Sequence, residues 1–442
     1  MRNLKFFCLI ICFVSCQQKK ADEKLLSDPD LLRRNMKHLT EVVIQDMFSP
    51  PVSSRIYSYT SLAAYEAVKF QDVNAFSLTD SLHGFDRMPT PEPGKKYNFL
   101  LASSKAFFTV AEKITFSKDS LIKYENELYP QFKTLLEDST YANSISFGEK
   151  VGNIILKRSK NDMYKETRGM PKFLGSNELG KWRPTPTDYL DALEPNWGKM
   201  KTMAVDSSTQ IKCPPPPEYN MDTSSKFYQS MKEVYFITTH LTDSQKTTAK
   251  YWDDNPFVLE HSGHMMFGNK KITPVGHWIG ITGIATKKTN SDEVATARAY
   301  ALTSIAMFDV IVTCWKTKYT YNHIRPITVI NEFMDRSWQP YLQTPPFPEH
   351  SSGHSGISAS AATVLTKLFG DNFSFKDTSD LEYIGMQREF PSFIAAANQA
   401  SISRVYGGIH YRTGIDAGAI QGRGVGEFVV KKFFGKQKSL NN

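Results

Sequence analysis

The chain is 442 residues long, enough for a large core and for two or three average domains, and its apolar, charged, Gly and Pro fractions are those of a soluble globular protein. Its 29 Phe and 20 Tyr suit an aromatic-rich interior. The formal net charge is +8, of which Arg2 and Lys5 contribute two before Cys16 is reached, leaving +6 for the remainder; no block of Lys and Arg interleaved with aromatics occurs, so nucleic acid is not a partner this sequence points to.

The N-terminus reads as a targeting segment. Arg2 and Lys5 precede a short apolar run at 6–14, and Ser15-Cys16 is followed by polar Gln17-Gln18-Lys19-Lys20. The run is too short to span a bilayer. It resembles a bacterial lipoprotein signal over residues 1–15, with Cys16 as the lipidated first residue, although Phe13 stands where such signals favour a smaller aliphatic residue. The expectation is an exported lipoprotein held to a membrane through Cys16, in the periplasm or at the outer membrane, with residues 16–35 as a flexible tether. No other run reaches membrane-spanning length on this reading. Cys8 and Cys12 leave with the signal. Cys213 and Cys314 remain, too few for a disulfide framework, and Cys314 lies in an apolar helical run where a buried, inert thiol is expected.

From Met36 the helical period dominates. Leu39, Val42, Val43 and Met47 repeat at helical spacing until Pro50-Pro51, and further helices are predicted over 57–70, 97–114, 117–136 and 141–160. Residues 161–222 are rich in Pro, Gly, Asn and Asp and include four consecutive prolines after Cys213. This predicts a long irregular excursion over the surface, in part polyproline-like. Asn290 and Glu293 form a capping-box-like start to an Ala-rich apolar helix through Trp315, after which Lys318 to Pro326 leaves the helix. Ser352 is a good N-cap for a helix running to Phe369, with Gly370 just past its end. Pro391 suits the first turn of the next helix, which carries Arg404. Gly407-Gly408 breaks it, and His410 precedes the final helix. With no clean strand alternation, the fold class is all-α: two packed helical-bundle halves at 36–250 and 251–442, with the active site in the C-terminal one.

Three short stretches in the last third share one chemistry. They are Lys318-(six residues)-Arg325-Pro326, Ser352-Gly353-His354 and Ser403-Arg404-(five residues)-His410. Together they supply three cations, a hydroxyl, a glycine amide and two imidazoles, the inventory needed to surround a tetrahedral or trigonal-bipyramidal oxyanion. Arg offers a planar fork, Lys a point charge, and Ser-Gly at a helix start adds backbone N–H groups and the positive end of the dipole. Singly, each cation is more often a surface residue. Arg404, however, lies in an apolar context where an unpaired charge is costly. His261-x-x-His264 lacks a third ligand at zinc-like spacing and is interrupted by Ser262-Gly263. Trp252-Asp253-Asp254 reads either as a surface turn or as the source of a carboxylate that orients a site arginine.

These stretches resemble the signature that joins phosphatidic-acid-type phosphatases and vanadium-dependent haloperoxidases: Lys-six-Arg-Pro, then Pro-Ser-Gly-His, then Ser-Arg-five-His followed by Asp. This chain has Ser351 for the pattern's Pro and Gly414 for its Asp, with Asp416 two positions later; neither position touches the anion in that family, so the departures bear on a supporting role alone. Length, Trp315 three residues before Lys318, Pro345-Pro346-Phe347-Pro348 before Ser352, and the stretch from Ser49 to Tyr57 resemble the haloperoxidase branch, and within it the bacterial iodide-oxidising enzymes. The resemblance implies vanadate as cofactor and a hydrogen peroxide-driven oxidation of halide, iodide first, to hypohalous acid via peroxovanadate. It implies His410 as the axial vanadium ligand, and Lys318, Arg325, Ser352, Gly353 and Arg404 around the vanadate oxygens. His354 would be the acid–base group, Lys318 would polarise the oxidant, and Trp315 and Phe347 would line the halide side. The same motifs fit a phosphatase with a phosphohistidine at His410, or an anion-binding protein without turnover.

Overall fold

The structure, a computed structural model, describes residues 24–256, 259–262, 265–268 and 270–435. The signal segment, Cys16, the start of the tether and His264 lie outside the described residues.

Among the described residues the chain is built of helices and two short hairpins. Helix α1 (Asp30–Gln45) is followed by α2 (Pro50–Val68), and Pro50-Pro51 does not merely end the first run. Both prolines occupy the first turn of α2 behind the N-cap Ser49, where their missing N–H groups cost nothing. Then come α3 (Phe99–Ile114), α4 (Lys118–Leu135), α5 (Asp138–Ser159) and the short α6 (Tyr164–Arg168). After the irregular segment follow α7 (Lys226–Thr239), α8 (Asp243–Tyr251) and α9 (Pro274–Lys288), three helices that periodicity did not predict. Helix α10 spans Glu293–Tyr321; its N-cap is Asp292, whose carboxylate accepts the Ala295 N–H, rather than Asn290, and Lys318 lies inside its last turn. The remainder is α11 (Pro326–Phe333), α12 (Gly353–Phe369), α13 (Leu381–Ile384), α14 (Phe393–Tyr406) and α15 (Arg412–Phe434). The hairpins pair β1 (Leu259–Ser262) with β2 (Met265–Gly268) and β3 (Phe375–Asp377) with β4 (Arg388–Phe390), strands too short for alternation to register.

Helix α10 organises the molecule. It packs against α2 on one side and α12 on the other, while α2, α3 and α5 pack together and α12, α14 and α15 pack together. One apolar core therefore runs from Leu31 to Phe433. Contrary to the sequence expectation, α10 is long and apolar enough to cross a membrane, but 94% of its most apolar window is buried inside the protein, which is the burial of a central core helix.

Helix α15 lies almost backbone to backbone against α12. Gly414, Gly418, Gly422 and Gly426 recur every four residues along it. A Cβ at Gly418 would meet the Ser352 carbonyl oxygen at 2.4 Å, and one at Gly422 the Gly356 carbonyl oxygen at 2.2 Å. Only glycine allows that approach, and the approach fixes where α12 begins.

Apart from α6 and a single 3-10 turn at Trp197–Lys199, the segment 161–222 is irregular, but it is no mere surface excursion. Trp182, Trp197, Met203 and Val205 are fully buried. Residues 201–205 are held by two opposite charges. The Arg158 guanidinium donates to the carbonyls of Lys201 and Thr202, each at 3.0 Å. The buried Asp309 carboxylate, on α10, accepts the N–H groups of Met203, Ala204 and Val205 at 2.7, 2.7 and 2.9 Å.

Candidate active site

The three stretches converge at one end of α10. Lys318 is fully buried on its last turn, and its Nζ donates to the carbonyls of Pro348 (2.8 Å) and Glu349 (3.0 Å). The helix ends at Asn322, whose φ of 50° turns the chain sharply. Arg325 is the N-cap of α11, with Pro326 at the first helical position. It is also fully buried, donating from Nε to the Phe347 carbonyl (2.9 Å) and from Nη1 to the Ile409 carbonyl (2.6 Å). Ser352 caps α12 as its sequence predicts: its Oγ accepts the Ser355 N–H at 3.4 Å. Gly353 and His354 are the first two residues of that helix, where N–H groups have no intrahelical acceptor. Arg404, on the last turn of α14, is buried and donates from Nη1 to the Trp252 carbonyl at 2.6 Å. His410 lies in the turn between α14 and α15, with Nε2 3.2 Å from Arg325 Nη1.

The residues of the three stretches are therefore in one place, with Trp315 and Phe347. Trp315, Phe347, Gly353, His354, Arg404 and His410 line a single cleft, and Lys318 and Arg325 border it through the Phe347 ring, at 4.9 and 5.1 Å from its centroid. Three buried polar atoms in this group have no protein hydrogen-bond partner: Arg325 Nη2, Arg404 Nε and His354 Nε2. The two guanidinium N–H groups are buried donors without acceptors, which is costly. A tetrahedral anion carrying several acceptor oxygens is the chemistry that satisfies such a set, so these residues fit vanadate, and phosphate equally.

The electrostatics agree. Burial pushes the Lys318 ammonium down to about 7, with Arg325 adding to the effect, and pushes the Arg325 guanidinium down to about 10. Burial likewise lowers Arg404. His354 is held well below the usual imidazole range by desolvation and by Arg404, and His410 by desolvation and by Arg325. Concentrated positive charge in a dry place disfavours each further proton, and an anion among these groups reverses that.

Two features were not legible beforehand. Glu349 is fully buried, and its Oε1 accepts from His410 Nδ1 at 2.7 Å and from the Tyr411 N–H at 3.2 Å, while Oε2 lies 3.2 Å from His323 Nδ1. Against its own desolvation, the bonds to His323 and His410 hold this carboxyl well below the usual carboxylate range. The second feature is His277, whose Nδ1 lies 3.0 Å from Asp254 and whose Nε2 lies 2.9 Å from Asp377, with Asp380 at 3.5 Å. Against full burial, these three carboxylates hold His277 well above its usual range, which makes it an imidazolium bridging the 252–254 turn to β3. The Trp252-Asp253-Asp254 stretch is buried rather than a surface turn. It steadies Arg404 through the Trp252 carbonyl, and Asp253 and Asp254 act on that guanidinium as nearby charges. The single signal for either feature was a carboxylate or imidazole lying in apolar sequence.

The walls are aromatic. The Trp315 and Phe347 rings lie 5.2 Å apart. The Trp315 indole N–H is committed to the Leu193 carbonyl at 3.3 Å, which also accepts from the Tyr319 hydroxyl at 2.7 Å. The irregular 161–222 segment thus supports one wall. Cys314 is buried beside Ser351, and desolvation raises its thiol, in line with the inert role expected of it.

Residues 298–437 match a family model described as the VCPO second helical-bundle domain. Among solved structures, the chain is similar to the first bacterial vanadium-dependent iodoperoxidase, at 42% identity and a TM-score of 0.87, over 92% of this chain and 96% of that one. It is also similar to a holo-type bacterial vanadium-dependent chloroperoxidase (17% identity, TM-score 0.67, 93% and 95% of the two chains). The apo-type bacterial chloroperoxidase gives 16% identity and a TM-score of 0.64 over 88% and 96%. The last two likenesses speak to the fold alone. No curated protein matches at a significant level.

Proposed function

Because this chain belongs to the vanadium-dependent haloperoxidases, we propose that it oxidises iodide with hydrogen peroxide in the cleft between α10, α12 and α14, and releases hypoiodous acid. The observation that carries this reading is the pair of buried, partnerless guanidinium donors on Arg325 and Arg404 that share one cleft with the His410 imidazole. His410 would bind the vanadium through Nε2, because its Nδ1 is engaged by Glu349. Lys318, Arg325 and Arg404, with the Ser352 hydroxyl and the Gly353 N–H, would hold the vanadate anion. Bound vanadate supplies a Lewis acid at which hydrogen peroxide becomes an oxidant for halide. His354 is neutral at ordinary pH, since burial and Arg404 disfavour its protonation, so its Nε2 can accept a peroxide proton and return it to the product. Lys318 holds a fixed cation where negative charge develops, and the two main-chain carbonyls it donates to keep it in place.

Iodide is supported by the walls. Phe347 has no donor to offer a halide, and the Trp315 donor is already committed. Two aromatic faces suit a large, weakly hydrated anion that needs no hydrogen bond to hold it, and iodide is the halide most easily oxidised. The similarity to an iodoperoxidase points the same way. The test is reconstitution. Protein stripped of metal should regain iodide oxidation with vanadate, and phosphate should compete. Recovery with ferrous iron or haem but not vanadate would overturn the site reading. Bromide turnover within tenfold of iodide at matched pH and peroxide would overturn the halide reading. A phosphate-release assay on the vanadate-free protein measures the phosphatase alternative.

The export reading is also part of this proposal. Arg2, Lys5, the apolar run to Val14 and Ser15-Cys16 support lipidation at Cys16. Labelling of the wild-type chain by a fatty acid, lost in Cys16→Ser, is the expected result; label retained in that variant would refute it.

A further inference from the structure

The signature that this chain resembles carries an aspartate four residues after its histidine, and this chain has Gly414 there. The structure shows what has replaced it. An ideal Cβ at position 414 falls 2.0 Å from Glu349 Oε1, 2.8 Å from Glu349 Cδ and 2.9 Å from Oε2. That Oε1 is 2.7 Å from His410 Nδ1. A side chain at 414 and the Glu349 carboxylate therefore compete for one small space beside the imidazole, and only one can fill it.

We infer that Glu349 is the positioning residue for His410, reaching from the loop before α12 through a gap that Gly414 leaves open, and that the pair is a relocation of the carboxylate from position 414 to position 349. Three further contacts of Glu349, and one of Gly414, make the relocated group more than a substitute. The Glu349 main-chain carbonyl accepts from Lys318 Nζ, so one residue sets the imidazole and one site cation together. Its own N–H donates to the His323 carbonyl at 3.0 Å, and its second carboxylate oxygen faces His323 Nδ1, which anchors it from the far side. The Ser352 N–H donates to the Gly414 carbonyl at 3.0 Å, so the gap residue itself ties the α12 cap to the α15 start. The effect on His410 is tautomeric. A carboxylate at Nδ1 requires the proton there and leaves Nε2 unprotonated, as an acceptor 3.2 Å from Arg325 Nη1.

The inference rests on His410 being the vanadium ligand, and the experiment separates the two. Orthovanadate is titrated calorimetrically into metal-free wild type, Glu349→Ala, Glu349→Gln, Gly414→Asp and the double variant Glu349→Ala/Gly414→Asp, with melting temperatures recorded for each. Loss of the orienting partner should weaken vanadate binding about 10–100-fold in Glu349→Ala. The double variant, with its carboxylate returned to position 414, should recover most of that loss. Glu349→Gln should fall between, since its amide oxygen can still accept from Nδ1. Gly414→Asp alone should be worse than wild type, because two carboxylates then claim one space. Nitrogen-15 spectra of the metal-free protein should show His410 protonated at Nδ1 in wild type and in the double variant, and a tautomer mixture in Glu349→Ala. A merely structural Glu349 lowers the melting temperature of Glu349→Ala and leaves vanadate affinity unchanged, which overturns the inference and leaves the vanadate reading intact. A double variant that folds but binds no better than Glu349→Ala, or one that does not fold, also overturns it. Wild type that binds no vanadate overturns the functional reading instead.

Discussion

Gly418 offers the sharpest test of how the helix seam sets the site. In Gly418→Ala the new methyl would begin 2.4 Å from the Ser352 carbonyl oxygen and 3.1 Å from Ser355 Cβ. A close carbon–oxygen contact needs about 3.3 Å, so α12 and α15 must part by about 0.9 Å at the residue that caps α12. Overpacking of this kind costs about 1–3 kcal/mol, at about 1 °C of melting temperature per kcal/mol for a chain of this length. The site consequence is larger than the stability one. Ser352 and Gly353 start α12, and the Ser352 N–H is bonded to the Gly414 carbonyl, so the displacement falls directly on groups that face His410. A misplacement near 1 Å costs about 10² in rate. Gly426→Ala is the control. It lies on the same seam, with its methyl 2.7 Å from Thr363 Cβ and 2.9 Å from the Ser360 carbonyl oxygen, three turns from the cleft. Both variants should melt lower than wild type in a thermal scan, while Gly418→Ala alone should lose iodide oxidation and weaken vanadate binding. Equal activity loss in the two variants, or wild-type activity in a Gly418→Ala protein with a lowered melting temperature, would show that the seam does not set the site.

Further outcomes follow from individual residues. Burial holds Lys318 at about 7, so at pH 8 it is largely neutral in the metal-free protein and charged in the unfolded chain. Fewer protons are then bound in the native state, and the Lys318 contribution to stability should rise from pH 7 toward the unfolded lysine value of about 10.4. An anion restores its charge, so vanadate binding at pH 8 should take up a proton, seen as a buffer-dependent calorimetric heat that Lys318→Met abolishes; identical proton uptake in the variant refutes this. His410→Ala should lose vanadate binding and turnover together. His354→Ala should keep binding and lose about 10²–10⁴ in turnover, and equal loss of affinity in both variants would refute the division of roles. Asp309→Ala leaves three backbone donors without their acceptor; at about 1–3 kcal/mol for each donor left unsatisfied, it should destabilise by about 3 kcal/mol or more and speed hydrogen exchange at Met203, Ala204 and Val205, and wild-type exchange there refutes the role assigned to it.

What could be read from the sequence was what local chemistry dictates. Ser352, the apolar run after it and Gly370 delimit α12 to the residue, because cap and stop are both encoded nearby. Lys318, Arg325, Arg404 and His410 could be named because their spacing is itself a pattern. Elements whose identity depends on distant partners were not legible. Helix α9 runs through Gly276, Gly280 and Gly283, which weaken the helical signal, and it is held by packing against α10 and α12. Asp292 takes the cap of α10 while Asn290, two residues earlier, adopts a φ of 50°, a choice between two good cap residues that the sequence alone leaves open. Glu349 was missed because the residue that requires it is 61 positions away. The vacant position at Gly414 was visible, but its replacement came from another part of the chain.

The support that residues 161–222 lend to the Trp315 wall has an evolutionary consequence. The groups gathered about His410 come from helix ends in the second half of the molecule, whereas the carbonyl that holds the Trp315 indole comes from Leu193, in a segment without regular structure. The two are nevertheless joined: the Leu193 N–H donates to the Pro346 carbonyl at 2.8 Å, beside Phe347 and Pro348, whose carbonyls hold Arg325 and Lys318. A change around Leu193 would therefore be selected for its effect on the aromatic wall and, through residues 346–348, on the cations behind it.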